Sequence, residues 1–176
     1  MVAAAPRRPG IRFRIGRVLL ARAKTSPSSG DLAGARKAFE EELAVDPTNA
    51  NAAYELGELD RMAGDFQSAR QRFEQAVAHY PAFEHALVGL GRTLIALDRA
   101  AAALQPLQTA LKTNPDSEVA WYQIAQAYRV LGNAAEQERA LSEFSRVRTL
   151  AAQRKVAIPE TMRDVTPQVI DPKSPR

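Results

Sequence analysis

The chain has two histidines, His79 and His85, and they are the first place to look for acid–base or metal chemistry. Neither stands at a metal-ligand spacing from another donor, and both read as surface side chains on helices. The densest run of carboxylates is Glu40-Glu41-Glu42. Consecutive residues on a helix diverge by about 100°, so these three do not converge on one substrate and read as a solvated acidic face. No phosphate-cradling glycine loop and no nucleophile elbow is present. There is no cysteine, which excludes disulfides, zinc-thiolate sites, thiol catalysis and c-type haem attachment. The chemistry that remains is recognition, by tyrosine rings and by the forked donors of arginine. No enzymatic activity and no cofactor are expected.

The elements that must position those side chains follow a fixed period. Pro47, Pro81 and Pro115 are 34 residues apart. Ahead of each proline lies the same layout. Between Pro47 and Pro81 come Ala53-x2-Leu56-Gly57, Gly64-Asp65, Ala69-x3-Phe73 and Ala76-Val77. Between Pro81 and Pro115 come Leu87-x2-Leu90-Gly91-x2-Leu94, Asp98-Arg99, Ala103-x3-Leu107 and Ala110-Leu111. After Pro115 come Trp121-x2-Ile124-Ala125-x2-Tyr128 and Gly132-Asn133. Leu87, Leu90, Gly91 and Leu94 share one face of a helix, as do Ala103, Leu107, Ala110 and Leu111 on the next. Gly57, Gly91 and Ala125 occupy one repeat position, and Ala35, Ala69 and Ala103 another. Small residues at both let two helix backbones approach. A helical glycine costs about 1 kcal/mol against alanine, so close packing must offset it. Each unit is too small to bury its own apolar face, and stacking buries it.

This layout resembles the tetratricopeptide repeat, whose signature is W-x2-L-G-x2-Y, then A-x3-F, then P. The resemblance covers roughly residues 10–147. It implies an all-α, right-handed α-solenoid of about four helix pairs with a C-terminal capping helix. The units expected are 11–47, 48–81, 82–115 and 116–147, with the cap running to residue 158.

The first and last units depart from the pattern. Phe13-x2-Gly16 matches Tyr54-x2-Gly57, which places Pro6 as a terminal proline. Pro6 to Pro47 is 41 residues, seven more than the period, and the surplus falls in Lys24–Gly30, read as a lengthened turn. Glu42 stands where alanine is usual, which predicts looser packing there. In the last unit Gln137 replaces alanine, and Ala140-x3-Phe144 recovers the motif three residues late. The helical pattern runs on through Val147, Leu150 and Ala151, with Arg146, Arg148, Gln153, Arg154 and Lys155 suited to a polar outer face. Residues 1–10 read as a flexible basic segment and 159–176 as a proline-rich disordered tail.

Charge is uneven. Residues 1–24 carry seven basic groups and no acid; residues 25–138 hold 9 basic and 16 acidic groups, net −7; residues 139–176 hold 8 basic and 4 acidic, net +4. A nucleic-acid reader needs basic side chains interleaved with stacking aromatics along its binding face, and the central array lacks them. Arg12 to Arg22, interleaved with Phe13, Ile15, Val18, Leu19 and Leu20, suit an anionic membrane surface or, more simply, arginines snorkelling over a packed first helix. No apolar run reaches the roughly 20 residues that span a bilayer. A cytoplasmic chain is expected if nothing precedes it, and a periplasmic or envelope one if an export signal did.

In tetratricopeptide proteins the first helices line a concave groove. The resemblance therefore implies a partner-binding row of Asn51, Tyr54, Glu58 and Arg61 in the second unit. It continues with His85, Val88, Arg92 and Ile95 in the third and Val119, Tyr122, Gln126 and Arg129 in the fourth. Phe13 and Arg17 extend it in the first unit. Chaperone-binding members hold a C-terminal carboxylate with Lys, Asn and Arg. The corresponding positions here read Tyr54, Glu58, Gly89, Val119 and Gln123, so that partner is not expected. The expected role is a protein-interaction scaffold taking a peptide or protein surface. The alternatives are a docking or regulatory part of a longer, envelope-associated chain, and an RNA or membrane-surface binder acting through the basic N-terminus.

Overall fold

In the computed structural model, residues 9–25 and 29–156 are described. They form eight helices and, among themselves, no strand. The helices are α1 (Ile11–Thr25), α2 (Ser29–Val45), α3 (Ala50–Met62), α4 (Phe66–His79), α5 (Glu84–Ala96), α6 (Ala100–Thr113), α7 (Glu118–Val130) and α8 (Ala134–Val156). The flexible segment and the proline-rich tail expected at the two ends lie outside the described residues, except Pro9 and Gly10.

Local chemistry sets the boundaries. Asn49, Asp65 and Ser117 cap α3, α4 and α7, each side-chain oxygen accepting a backbone N–H of the first turn. Pro47, Pro81 and Pro115 each stand two residues beyond the end of α2, α4 and α6, where no further helical hydrogen bond is required of them. The turns inside the last three pairs need a left-handed residue. Gly64 (φ 81°) and Gly132 (φ 70°) supply it, and Asp98 (φ 58°) takes the same place in the third pair.

Helices pack in hairpins, α1 on α2, α3 on α4, α5 on α6 and α7 on α8, and consecutive hairpins stack through α2–α3, α4–α5 and α6–α7. Each of the first three hairpins closes on the small position of its first helix. A Cβ on Gly16 would sit 2.5 Å from the Phe39 ring, one on Gly57 2.8 Å from Phe73, and one on Gly91 2.5 Å from Leu107. Phe39, Phe73 and Leu107 are fully buried, as are Ala35, Ala69 and Ala103 beside them. The stack is an α-solenoid.

Two sequence-based expectations need correction. Glu42 is not a loose spot. It is 1% exposed, and its carboxylate accepts the N–H of Gly10, the N–H of Phe13 at 3.2 Å and the Asn49 amide at 3.2 Å. The side chain substitutes polar bonds to the start of α1 for the packing that alanine gives elsewhere. Part of the seven-residue surplus of the first unit is helical, because α1 runs to Thr25 and α2 begins at Ser29. At the far end, the expected cap is the continuation of α8, a single helix of 23 residues. Ala140 and Val147 are buried along it, in line with the three-residue slip.

Two predictions follow from this packing. Ala69→Arg or Gly57→Val drives bulk into a closed helix contact and should cost about 1–3 kcal/mol or more in chemical denaturation; an unchanged midpoint would mean the repeat phase is wrong. Asp98→Gly relieves a left-handed residue and should raise the midpoint by up to about 1 kcal/mol, and a lower midpoint would show that the Asp98 side chain contributes something the turn geometry does not.

Candidate functional site

The first helices α3, α5 and α7 lie in succession and carry most of the expected row. A recess between them is lined by Tyr54, Glu58, Glu84, His85, Val88, Gly89, Arg92, Ser117 and Val119. Tyr54 is its fixed wall. Its ring packs against Phe83 at 5.1 Å and Phe73 at 6.0 Å, and edge-on to His85 at 6.1 Å. Burial, with Glu58 and Glu55 close by, holds the Tyr54 phenol above its usual range, so the hydroxyl keeps its proton as a donor. Val88 is only 8% exposed and forms the floor.

The charges in the recess differ in how they are committed. Glu58 is held by Arg61, whose Nε and Nη2 donate to it at 3.2 and 2.8 Å. That bond holds the Arg61 guanidinium above its usual range. Arg92, half-buried on the opposite wall, has no ion-pair or hydrogen-bond partner among the described residues. The recess therefore joins a rigid aromatic wall, the paired Glu58, and Glu84, which accepts from the Asn114 amide at 3.0 Å, to one uncommitted guanidinium. No group of acidic or histidine side chains among the described residues is arranged to hold a metal ion.

The rest of the row is dispersed. Tyr122 stacks on Phe144 at 5.8 Å and Arg129 donates to Gln126 at 3.0 Å, both beyond the recess on α7. Asn51 is exposed, Ile95 is half-buried, and neither lines it. Phe13 packs on Phe39 at 5.8 Å and belongs to the core edge. Arg17 lies over Phe13 and pairs with Glu55 at 3.5 Å, across the gap between α1 and α3. His79 is exposed at the end of α4. Glu84 and Ser117 line the recess outside the expected row, and Phe83 packs on Tyr54 without lining it. They sit at helix starts, where groove positions counted from within a helix do not reach; Phe83, two residues past Pro81, was the available signal.

Helix pairs stacked in this way define an α-solenoid repeat protein. The tetratricopeptide repeat family model matches residues 60–122. That stretch of the chain, from the end of α3 into α7, carries the tetratricopeptide repeat. A search of the curated proteins finds no match. Among solved structures, the chain resembles MamA at 18% identity and a TM-score of 0.66, over 78% of this chain and 89% of that one. It resembles a thermophilic tetratricopeptide protein of Thermus thermophilus at 22% and 0.61, over 77% and 72%. A mutant Thermobaculum terrenum O-GlcNAc transferase matches at 26% and 0.56, over 69% of this chain but 23% of the transferase.

Glu55 supplies a test of the electrostatics beside the site. Burial holds its carboxyl above the usual range, against the pull of Arg17. A carboxyl raised in the folded state supports folding when protonated, and that support is lost as pH rises from the unfolded value of about 4.3 through the folded one. Glu55→Gln should melt higher than the parent near neutral pH, with the difference closing as pH falls into the carboxylate range. A variant that melts lower near neutral pH would show that the Arg17 pair outweighs desolvation.

Proposed function

We propose that this chain is a non-catalytic scaffold that takes a peptide or protein surface into the concave groove of α3, α5 and α7. Tetratricopeptide repeats serve generally as protein-interaction modules, and the groove reading goes beyond that. The observation that carries it is the Tyr54–Arg92 recess. Tyr54 is held rigid by three rings, so little conformational entropy is lost when a partner packs on it. Arg92 is uncommitted while the neighbouring acid is already satisfied by Arg61. The occupant that fits is a segment presenting a carboxylate side chain to Arg92 and an apolar side chain to the Tyr54–Val88 wall. Tyr122, Gln126 and Arg129 would extend the contact along α7, and Asn51 and Arg61 along α3.

Arg92→Glu should reverse this preference. Fluorescence anisotropy against a panel of labelled peptides should show acidic–apolar segments bound by the parent and weakened at least tenfold by the substitution, as hot-spot arginines commonly contribute about 2 kcal/mol. Helical content should not change. Parent and variant binding the same peptides equally would remove the groove as the site.

A further inference from the structure

Three of the four first helices are covered at the same repeat positions. On α3 these are Ala52, Leu56 and Leu59, at 0%, 0% and 7% exposure. On α5 they are Ala86, Leu90 and Thr93, and on α7 Ala120, Ile124 and Ala127, all buried. The cover is the preceding hairpin: Leu56 and Leu59 cluster with Ala35 and Phe39 of α2. Gly16 of α1 is the counterpart of Gly57, so the same positions on α1 are Ile11, Ile15 and Val18. They are 50%, 49% and 60% exposed. Single exposed aliphatics are ordinary. Three in one stripe, at the positions every later unit buries, are a junction surface without its cover among the described residues.

The opposite end shows the other half. Tyr54 is closed over by Phe83 and His85 of the next hairpin, and its counterpart Val88 is 8% exposed. One period on, Tyr122 is 43% exposed. Phe73 and Leu107 are fully buried, whereas Phe144, their counterpart in the slipped motif, is half-buried with Tyr122 on one side and Arg148 over its ring. Leu141, 36% exposed, lies one turn before it.

We propose that α1 of one copy docks on the α7–α8 end of a second copy, continuing between molecules the junction that the chain already makes three times within itself. The two patches differ, so the contact is heterologous and propagates into a ring or an open filament. Charge around the two patches is mixed: Arg14 and the Asp31-paired Arg22 flank α1, and Arg129, Arg148 and the exposed Glu138 flank the other. Salt screens exposed charges but not apolar burial, so association should persist as ionic strength rises. Docking on nucleic acid or on anionic lipid would weaken instead.

Sedimentation velocity across a concentration series tests this. The parent should form species larger than a monomer as concentration rises, and should still do so at high salt. Ile15→Asp and Leu141→Asp, each on one patch, should each weaken association at least tenfold. An equimolar mixture of the two should recover a dimer that grows no further, because each variant keeps one intact and complementary patch. Val18→Asp replaces Ile15→Asp if the latter loses helical content. The proposal is overturned if the parent stays monomeric throughout, if Ile15→Asp associates like the parent, or if the mixture stays monomeric. Arg92→Glu should associate normally, which separates this contact from groove binding.

Discussion

The contact on which the rest depends is a glycine backbone pressed against a ring or a branched side chain inside a hairpin. Gly16 on Phe39, Gly57 on Phe73 and Gly91 on Leu107 bring paired helices closer than any Cβ allows. Phe73 is squeezed from two sides, since a Cβ on Gly89 of the next hairpin would also meet its ring, at 2.7 Å. One side chain therefore sets both the closure of a unit and the distance to its neighbour. Tyr54 rests on that ring and takes its orientation from it. The groove wall is thus rigid because the core behind it leaves no slack.

Much of this was legible because repeats say the same thing several times. The prolines, the alanines at 35, 69 and 103 and the glycines at 57 and 91 each occur in phase, so each unit supports the reading of the next. What was not legible is what happens once. Glu42 reads as a lost alanine, because its partners are the N–H groups of Gly10 and Phe13, 32 and 29 residues away. The recess was legible only in part. Tyr54, Glu58, His85, Val88, Arg92 and Val119 follow from helical spacing, while Glu84 and Ser117 come from helix starts, whose placement depends on how each hairpin leans on the one before. Spacing also did not reveal that Phe13 serves the core or that Glu58 is already occupied by Arg61.

The apolar interior falls into two clusters bridged by Leu43. Phe39, Ala35, Leu56 and Leu59 form one cluster, and the residues from Ala53 and Phe73 through Ala140 form another. Across α2 and α3 the first cluster is supplemented by charge. Arg36 reaches the buried Asp60 at 2.6 Å, and Arg17 reaches Glu55 from α1. In a solenoid, where each unit contacts only its neighbours, such a division separates cooperative blocks. Amide protons of α1 and α2 would then exchange through an opening of lower free energy than those of α5 and α6. Melting followed by a probe in the first unit would part from melting followed at Trp121, and one transition temperature would not describe the molecule.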